Sequence, residues 1–379
     1  MVSTQSTAWT KWEDVRESWR ALFLASPYRS FFTSVEWIDT WLAVFGEQLN
    51  PEIVTISDGE RVIGACLLVY RDEKVAFVPV RRVYLNTSGE DERDETYIEF
   101  NDLLCLDACE QVVAQALGRH LQSAGWDELI LNGCNRSGSI DALLDVFQDL
   151  SRTGRIDRSF YVSLDPIRDA GRSVEAVLSR NSRRNVKRTT TAYQQLGALT
   201  FEVAEQADTA LRMLDQLAAL HQSRWVAKGE AGVFSSARFV QFNRTLVERH
   251  LRDGRVQMMR LSVGDRVIGV ICNLVLDRKV YFYLCGFELG TDNNLRPGLI
   301  TVHRAIQYCL EHGFGEFDLM AGDVQYKRTF SEVSRELHWI TLRRPSAKLR
   351  MLETLRTVRA SWTRGESRTP SERDDENAV

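Results

Sequence analysis

DGERVIGACLLVYRDEKV at residues 58–75 returns as VGDRVIGVICNLVLDRKV at residues 263–280. Laid over one another without gaps, the two stretches share Gly59/Gly264, Arg61/Arg266, the Val-Ile-Gly that ends at Gly64/Gly269, Asp72/Asp277 and Lys74/Lys279. A second echo follows at a similar distance. GWDELILNG (125–133) matches GFGEFDLMAG (313–322), with Gly125/Gly313, Glu128/Glu316 and Leu131/Leu319 in step. Two short matches in one order point to a single domain plan used twice. The plain alternative is that any two amphipathic hairpins share this look. If the plan is duplicated, the places where the copies differ become informative, because chemistry needs only one of them.

The chain has 379 residues, room for two or three domains that each bury a core. Apolar residues make up 44% and charged residues 26%, which is ordinary for a globular chain. A net charge of -4 argues against general DNA or membrane binding and leaves local patches open. Seven cysteines include several inside apolar runs such as IGACLLV and VICNLVL, so buried free thiols are expected. The lone CxxxC of Cys105 and Cys109 lacks a second pair or a nearby histidine, so no metal is expected. The polar start, MVSTQSTAWTKWEDVRESWR, carries no signal-peptide core, and no apolar run is long enough to span a bilayer. A reducing cytoplasm is the expected compartment.

Periodicity reads as helices over 8–24, 34–45, 108–124 and 139–151, with strands over 51–57, 61–70, 74–83, 98–106, 128–132 and 160–164. Gly154 and Pro166 punctuate a boundary near 154–166. Beyond it come a charge-loaded helix over 173–196, a strand over 200–203 and helices over 208–227 and 239–253. An antiparallel meander (256–261, 267–276, 280–287) is followed by a helix opening at Pro297, a strand over 316–320 and a last strand over 337–343. The expected layout is a first domain over 1–158, a second over 159–345, a C-terminal helix within 346–362 docked on the body and a disordered tail over 363–379. Three antiparallel strands, a helix and one more strand make an α+β plan of mixed, mostly antiparallel sheets flanked by helices.

The densest chemistry lies in EFDLMAGDVQYKRTF (316–330). Asp318 falls in phase on an otherwise apolar strand, so it must be paired or functional. Asp323, Tyr326 and Lys327 follow the strand's carboxyl end and would supply a base, a proton donor and a stabiliser of negative charge. The first copy has NGCNRSGS at the matching place and lacks all three, which marks the second copy as the working half. The bland alternative is a turn capped by an Asp beside a solvated Lys. His221 and Trp225 share a helix face, and Arg224 adjoins it. Arg180, Arg183, Arg184, Lys187 and Arg188 would form a positive face, for the phosphates of a carrier or simply for water.

These segments together carry a resemblance. D-x-x-x-G-x-x-x-Y-K after GFGEF, LAALHQSRW (217–225), the aromatic strand VYFYLCGFE and SVEWIDTWLAVFG are similar to the CelD/BcsL group of GNAT-like acyltransferases, relatives of the Fem-type aminoacyl-transferases. The likeness runs over about residues 30–343 and is strongest over 160–330. It implies two tandem GNAT-like domains, the first without catalysis. In that fold the strands on either side of a crossing helix splay into a wedge that admits an acyl carrier. It also implies acyl-CoA as co-substrate and places Tyr283, Arg296, Gly298 and Arg184 on the carrier side, with His221, Arg224, Trp225 and Asp318 toward the substrate. Arg296-Pro297-Gly298 departs from the usual Ser-Pro-Gly, and the phosphate-cradling loop of ordinary acetyl-CoA users is absent, leaving the helix N-terminus at Pro297 to meet a phosphate.

The expected activity is acyl transfer from a thioester to an amine or hydroxyl on a small-molecule, glycan-linked or lipid-linked acceptor, in an exopolysaccharide or cell-envelope setting that the likeness alone implies. Two alternatives stand beside it: an aminoacyl-tRNA-dependent transferase, and a silent ligand-binding protein of the same fold.

Overall fold

The computed structural model describes residues 1–289 and 294–350, and the chain divides into two compact units. Unit 1 takes residues 1–156 and the segment from Leu337 onward; unit 2 takes Asp157–Glu336. In chain order unit 1 contains β1 (Val2–Ala8), α1 (Trp12–Ala25), α2 (Val35–Leu49), β2 (Glu52–Asp58), β3 (Arg61–Val75), β4 (Val78–Leu85), β5 (Leu104–Cys105), α3 (Glu110–Ser123), β6 (Glu128–Cys134) and α4 (Gly138–Val146). The strand β7 (Ser151–Ser163) carries the chain into unit 2. There follow α5 (Asp165–Asp169), α6 (Val174–Val177), α7 (Arg180–Leu196), β8 (Leu199–Val203), α8 (Ala207–Ala227), α9 (Ala237–His250), β9 (Val256–Val263), β10 (Arg266–Leu276), β11 (Lys279–Phe287), α10 (Pro297–Glu311), β12 (Glu316–Ala321) and α11 (Gln325–Phe330). Finally β13 (Ser334–Arg343) returns the chain to unit 1.

The strand orders of the two units follow the same plan. In unit 1 the order is β1-β2-β3-β4-β6-β13, with β5 beside β3; in unit 2 it is β8-β9-β10-β11-β12-β7. Each begins with three antiparallel pairings, continues with one parallel pairing across the crossing helix and closes with an antiparallel strand. The repeat in the sequence has a physical cause in each copy. Gly59 and Gly264 take left-handed φ values of 60° and 55° in the two-residue turns after β2 and β9. Gly64 and Gly269 lie under the crossing helix. A Cβ at Gly64 would stand 2.4 Å from a methyl of Val113 on α3, and one at Gly269 would stand 2.3 Å from Thr301 Oγ1 on α10.

The closing strands are exchanged. The segment after α4 would close the first copy if each copy were self-contained. Instead β7 pairs with β12, Phe317 opposite Val162, while β13 pairs with β6, Arg343 opposite Glu128. The strand over 337–343, read from sequence as the last element of the second copy, therefore belongs to unit 1. Other elements differ from the sequence reading, among them the expected strand over 98–106, which is strand only at Leu104–Cys105. The polar stretch Val2–Ala8 is an edge strand paired with β2. The expected strand over 74–83 breaks at a turn made by Ala76 and Phe77, both at positive φ, so β3 runs on to Val75. No Gly or Asn signals that turn.

Helix starts follow side-chain caps: Ser34 accepts from Trp37 N–H before α2, Ser179 from Ser182 N–H before α7, and Ser236 from Phe239 N–H before α9. The Ser179 cap splits the expected 173–196 helix into α6 and α7. In unit 2 one apolar cluster joins Phe160, Val162, Ile271, Val280, Phe282, Val302, Ile306, Phe317 and Leu319, so α10 and the sheet share one core. All seven cysteines are free. A helix begins at 347 and buries Leu349 against Val78 and Val80; its expected continuation to 362, the tail over 363–379 and part of the 288–296 loop lie outside the described residues.

Candidate active site

In unit 2 the parallel ladder between β11 and β12 has three rungs, Lys279 with Glu316, Val280 with Phe317 and Tyr281 with Asp318. Both strands continue beyond it, β11 to Phe287 and β12 to Ala321, without further pairing to each other. The strands therefore part at Tyr281 and Asp318, and the β11 edge from Leu284 to Phe287 has no strand partner on that side among the described residues. A β-bulge between β10 and β11 at Cys272/Asn273 adds to the twist where the parting begins.

Asp318 produces this geometry. It is 0% exposed; it accepts Ser159 O–H at 2.5 Å and Met320 N–H at 2.9 Å, and pairs with Lys279 Nζ at 3.2 Å. Arg335 stands 3.8 Å away on the same carboxylate. The bond to Met320 holds that residue at φ 63°, a left-handed conformation that turns β12 away from its neighbour. A carboxylate so enclosed is not available to a substrate. The expectation that Asp318 binds one is corrected: it shapes the wedge.

Lys327 is likewise a strut. It is 6% exposed, and its ammonium donates to Met320 O at 3.0 Å and Ala321 O at 2.5 Å, carbonyls on the part of β12 that has left β11. Asp323, expected as the base, is gripped by Arg328 through both carboxylate oxygens. That contact lowers its pKa, so the carboxylate is a weak base. The base role is therefore also corrected.

Tyr326 remains free. It is half-buried against the unit 2 core, and its hydroxyl makes no hydrogen bond among the described residues. Burial holds its pKa well above the usual phenol value, with the thiol of Cys285 on β11 adding to the rise and Arg224 on α8 opposing it. Cys285 itself is pushed up to about 11 by burial, offset in part by the charges of Lys327 and Arg224. Arg224 has neither an ion pair nor a hydrogen bond of its own among the described residues. One cluster thus joins the end of α8, the unpaired part of β11 and the first turn of α11.

The helix α8 can reach that cluster because Gly286 lets it pass close over β11; a Cβ there would lie 2.4 Å from Leu217 O. On the same helix Trp225 Nε1–H donates to His221 Nε2 at 2.9 Å, as expected for an i, i+4 pair. Burial lowers the His221 pKa, so the ring is neutral near pH 7, accepting at Nε2 and carrying its proton on Nδ1. Phe234 packs edge-on against His221, and Gln222 Nε2 donates to Ala231 O at 2.6 Å, so the 228–234 loop is pinned rather than loose.

The carrier-side residues are more scattered. Tyr283 is half-buried on β11, two residues past the last rung. Gly298 is buried in the first turn of α10, and Arg296 is that helix's exposed N-cap position with no side-chain cap. Arg184 sits instead on the outward face of α7, which packs on α10 and β9. Cys285 was not singled out by sequence reasoning. Its signal was its place in VYFYLCGFE, where it follows the chain's aromatic run into the wedge.

Unit 1 has the same parting with a different outcome. Its parallel ladder also has three rungs, ending at Tyr84 and Ile130. Beyond them the chain's own Asn101 spans the gap: its side-chain Nδ2 donates to Leu85 O on β4 at 3.2 Å, and its backbone N–H donates to Gly133 O on β6 at 3.1 Å. Asn86 Nδ2 donates to Asn101 Oδ1 at 2.6 Å and to Asp102 O at 2.8 Å. Gly133 admits this insertion, since a Cβ there would lie 2.4 Å from Ile98 O.

Residues 180–328 match the family model described as Acetyltransferase (GNAT) domain. Unit 2 carries a GNAT acetyltransferase domain. The chain is an acyltransferase on that ground. No curated protein matches the sequence. Among solved structures it is similar to FemX, with 10% identity and a TM-score of 0.57 over 86% of this chain and 95% of that one. It is also similar to a conserved protein of unknown function from Bacteroides thetaiotaomicron, with 9% identity and a TM-score of 0.54 over 91% and 100%. A third is the C-terminal domain of a putative lysylphosphatidylglycerol synthetase from Agrobacterium fabrum, with 10% identity and a TM-score of 0.52 over 90% and 96%. At such identities the likeness concerns the fold. Among the described residues no cluster of His, Cys, Asp or Glu could hold a metal ion, and no helix is long and apolar enough to cross a membrane.

Proposed function

We propose that unit 2 transfers an acyl group from a thioester carrier, acyl-CoA, to an amine or hydroxyl on its acceptor, and that unit 1 takes no part in the chemistry. The observation that carries this reading is the pair of unengaged groups at the wedge: the Tyr326 phenol and the Arg224 guanidinium, beside a β11 edge with no partner strand. An extended amide-bearing arm fits such an edge by main-chain hydrogen bonds. The start of α10, which has no side-chain cap and has Arg296 beside it, suits the carrier's phosphates. Tyr283 would lie along the arm.

In the step itself the acceptor's nitrogen or oxygen attacks the thioester carbonyl. A C–N or C–O bond forms, the C–S bond breaks and the acceptor's proton passes through water to restore the Tyr326 phenol. Arg224 stabilises the charge that develops on the carbonyl oxygen, and Tyr326, kept protonated by burial, gives its proton to the departing thiolate. His221 and Trp225 hold the acceptor side. Most of the rate gain comes from orientation in the cleft. The motifs shared with the CelD/BcsL group favour a cell-envelope or exopolysaccharide acceptor, glycan-linked or lipid-linked.

Calorimetry with acetyl-CoA and longer acyl-CoA, paired with a free-thiol release assay, tests the reading. Binding of at least one acyl-CoA is expected, weakened by Arg224→Gln. If no acyl-CoA binds, the silent ligand-binding alternative takes its place; activity that RNase abolishes would make the donor an aminoacyl-tRNA.

A further inference from the structure

We propose that the outward face of α7 docks the protein on an anionic lipid surface, an inference independent of the transfer reading. Helix α7 buries Ser182, Val186, Thr189 and Tyr193, spaced so that they share one side. Arg180, Arg183, Arg184, Lys187 and Arg188 are all exposed and project from the opposite side, within about 12 Å of helix axis. The first four make no ion pair or hydrogen bond through their side chains among the described residues; Arg188 has one long contact, 3.3 Å to Asn185.

Three features set this face apart from an ordinary solvated helix. Its sequence, RNSRRNVKRTTTAYQQL, contains no Asp or Glu, so no cation has an acid one turn away, although the chain as a whole carries a net charge of -4. The cations crowd the helix N-terminus, where the backbone dipole already presents positive charge and opposes them. Their local cost calls for an external anion. The third feature separates lipid from nucleic acid. The exposed side of α7 has no aromatic ring on which a base could stack, Tyr193 being buried. An exposed apolar side chain, Val177 (44% exposed), stands just before the cations instead. Cations beside an exposed apolar side chain suit the boundary between headgroups and acyl chains.

Co-sedimentation of the full-length protein with vesicles tests the proposal. Retention is expected on mixed phosphatidylcholine–phosphatidylglycerol vesicles at low salt, loss at raised salt, and little retention on phosphatidylcholine alone. Each cation near an anionic surface contributes about fivefold in binding. Replacing Arg180, Arg183, Arg184 and Lys187 together by Gln should therefore lower the vesicle partition at least ~100-fold, while Arg252→Gln, at an exposed position in the turn between α9 and β9, leaves it unchanged. The single reversal Arg184→Glu, expected to lower it at least ~10-fold, serves if the combined variant fails to fold. The same retention on neutral vesicles, no change in either variant, or displacement from the vesicles by bulk RNA at equal phosphate would each overturn the proposal.

Discussion

Replacing Lys327 by Met keeps the aliphatic stem in place and removes the ammonium that holds the end of β12. Two charge-assisted hydrogen bonds are lost, to Met320 O at 3.0 Å and Ala321 O at 2.5 Å, both on the part of β12 beyond its pairing with β11. Hydrogen bonds to charged groups contribute about 1.5–3 kcal/mol each, and release of a buried ammonium offsets part of that. The net expectation is a destabilisation of ~2–4 kcal/mol, read as a lower urea midpoint. Transfer should fall too, because the left-handed Met320 and the first turn of α11 that carries Tyr326 both hang on this contact. The decisive measurement pairs the urea curve with thiol release at a temperature where the variant is fully folded. A variant with wild-type stability and no turnover would refute the strut and return Lys327 to catalysis.

Tyr326→Phe removes a hydroxyl that has no internal partner, so stability should stay within about 0.5 kcal/mol while kcat falls ~10²–10⁴-fold in the thiol-release assay; an unchanged kcat removes the proton donor. Gly286→Val should push α8 off β11, because even its Cβ would lie 2.4 Å from Leu217 O, and a loss of ~1–3 kcal/mol with weaker acyl-CoA binding is expected by denaturation and calorimetry. Asp102 in unit 1 is buried and its pKa is raised to about 7 by burial, so the folded state holds a proton that the unfolded chain releases near pH 4. Stability is thus fully retained below pH 4 and declines as pH rises toward 7, by at most ~4 kcal/mol from this residue, and Asp102→Asn should flatten that slope in urea titrations across pH 5–8. A fragment over 1–156 lacks β13 and exposes the β6 edge with Leu129 and Leu131, so it should aggregate where a fragment over 157–336 stays monomeric in size-exclusion chromatography.

The duplicated plan was legible because its signals are local. Gly59 and Gly264 are turn residues, and Gly64 and Gly269 are close-approach residues; both leave a mark at a fixed spacing. The exchange of β7 and β13 left no such mark. A strand's apolar alternation says that it will be buried on one face and nothing about which edge it joins. The site was legible as a set of residues and much less as a set of roles. Sequence spacing brought Tyr326, Arg224 and His221 forward, and they do converge with Cys285 on one region of unit 2. Roles depend on partners far away in the chain. Asp318 is spent on Ser159, Lys279 and Arg335, and Asp323 on Arg328, and only the first two of those partners lie beyond the reach of a ten- or twenty-residue window by a wide margin.

The comparison of the two wedges also explains why one copy would keep its chemistry. Parting two parallel strands strips backbone groups of their partners, and buried groups left that way cost about as much as a lost hydrogen bond each. Unit 1 resolves the problem internally: Asn101 donates to β4 through its side chain and to β6 through its backbone, and Asn86 holds it there. In doing so it occupies the place an acyl carrier's amides would take. Unit 2 resolves only half of it. Lys327 satisfies the β12 side, and the β11 side from Leu284 to Phe287 has no strand partner there among the described residues, which is where the proposed carrier would bind. The connections before the crossing helices differ in length, 24 residues from 86 to 109 in unit 1 against nine from 288 to 296 in unit 2, and it is the longer one that supplies Asn101.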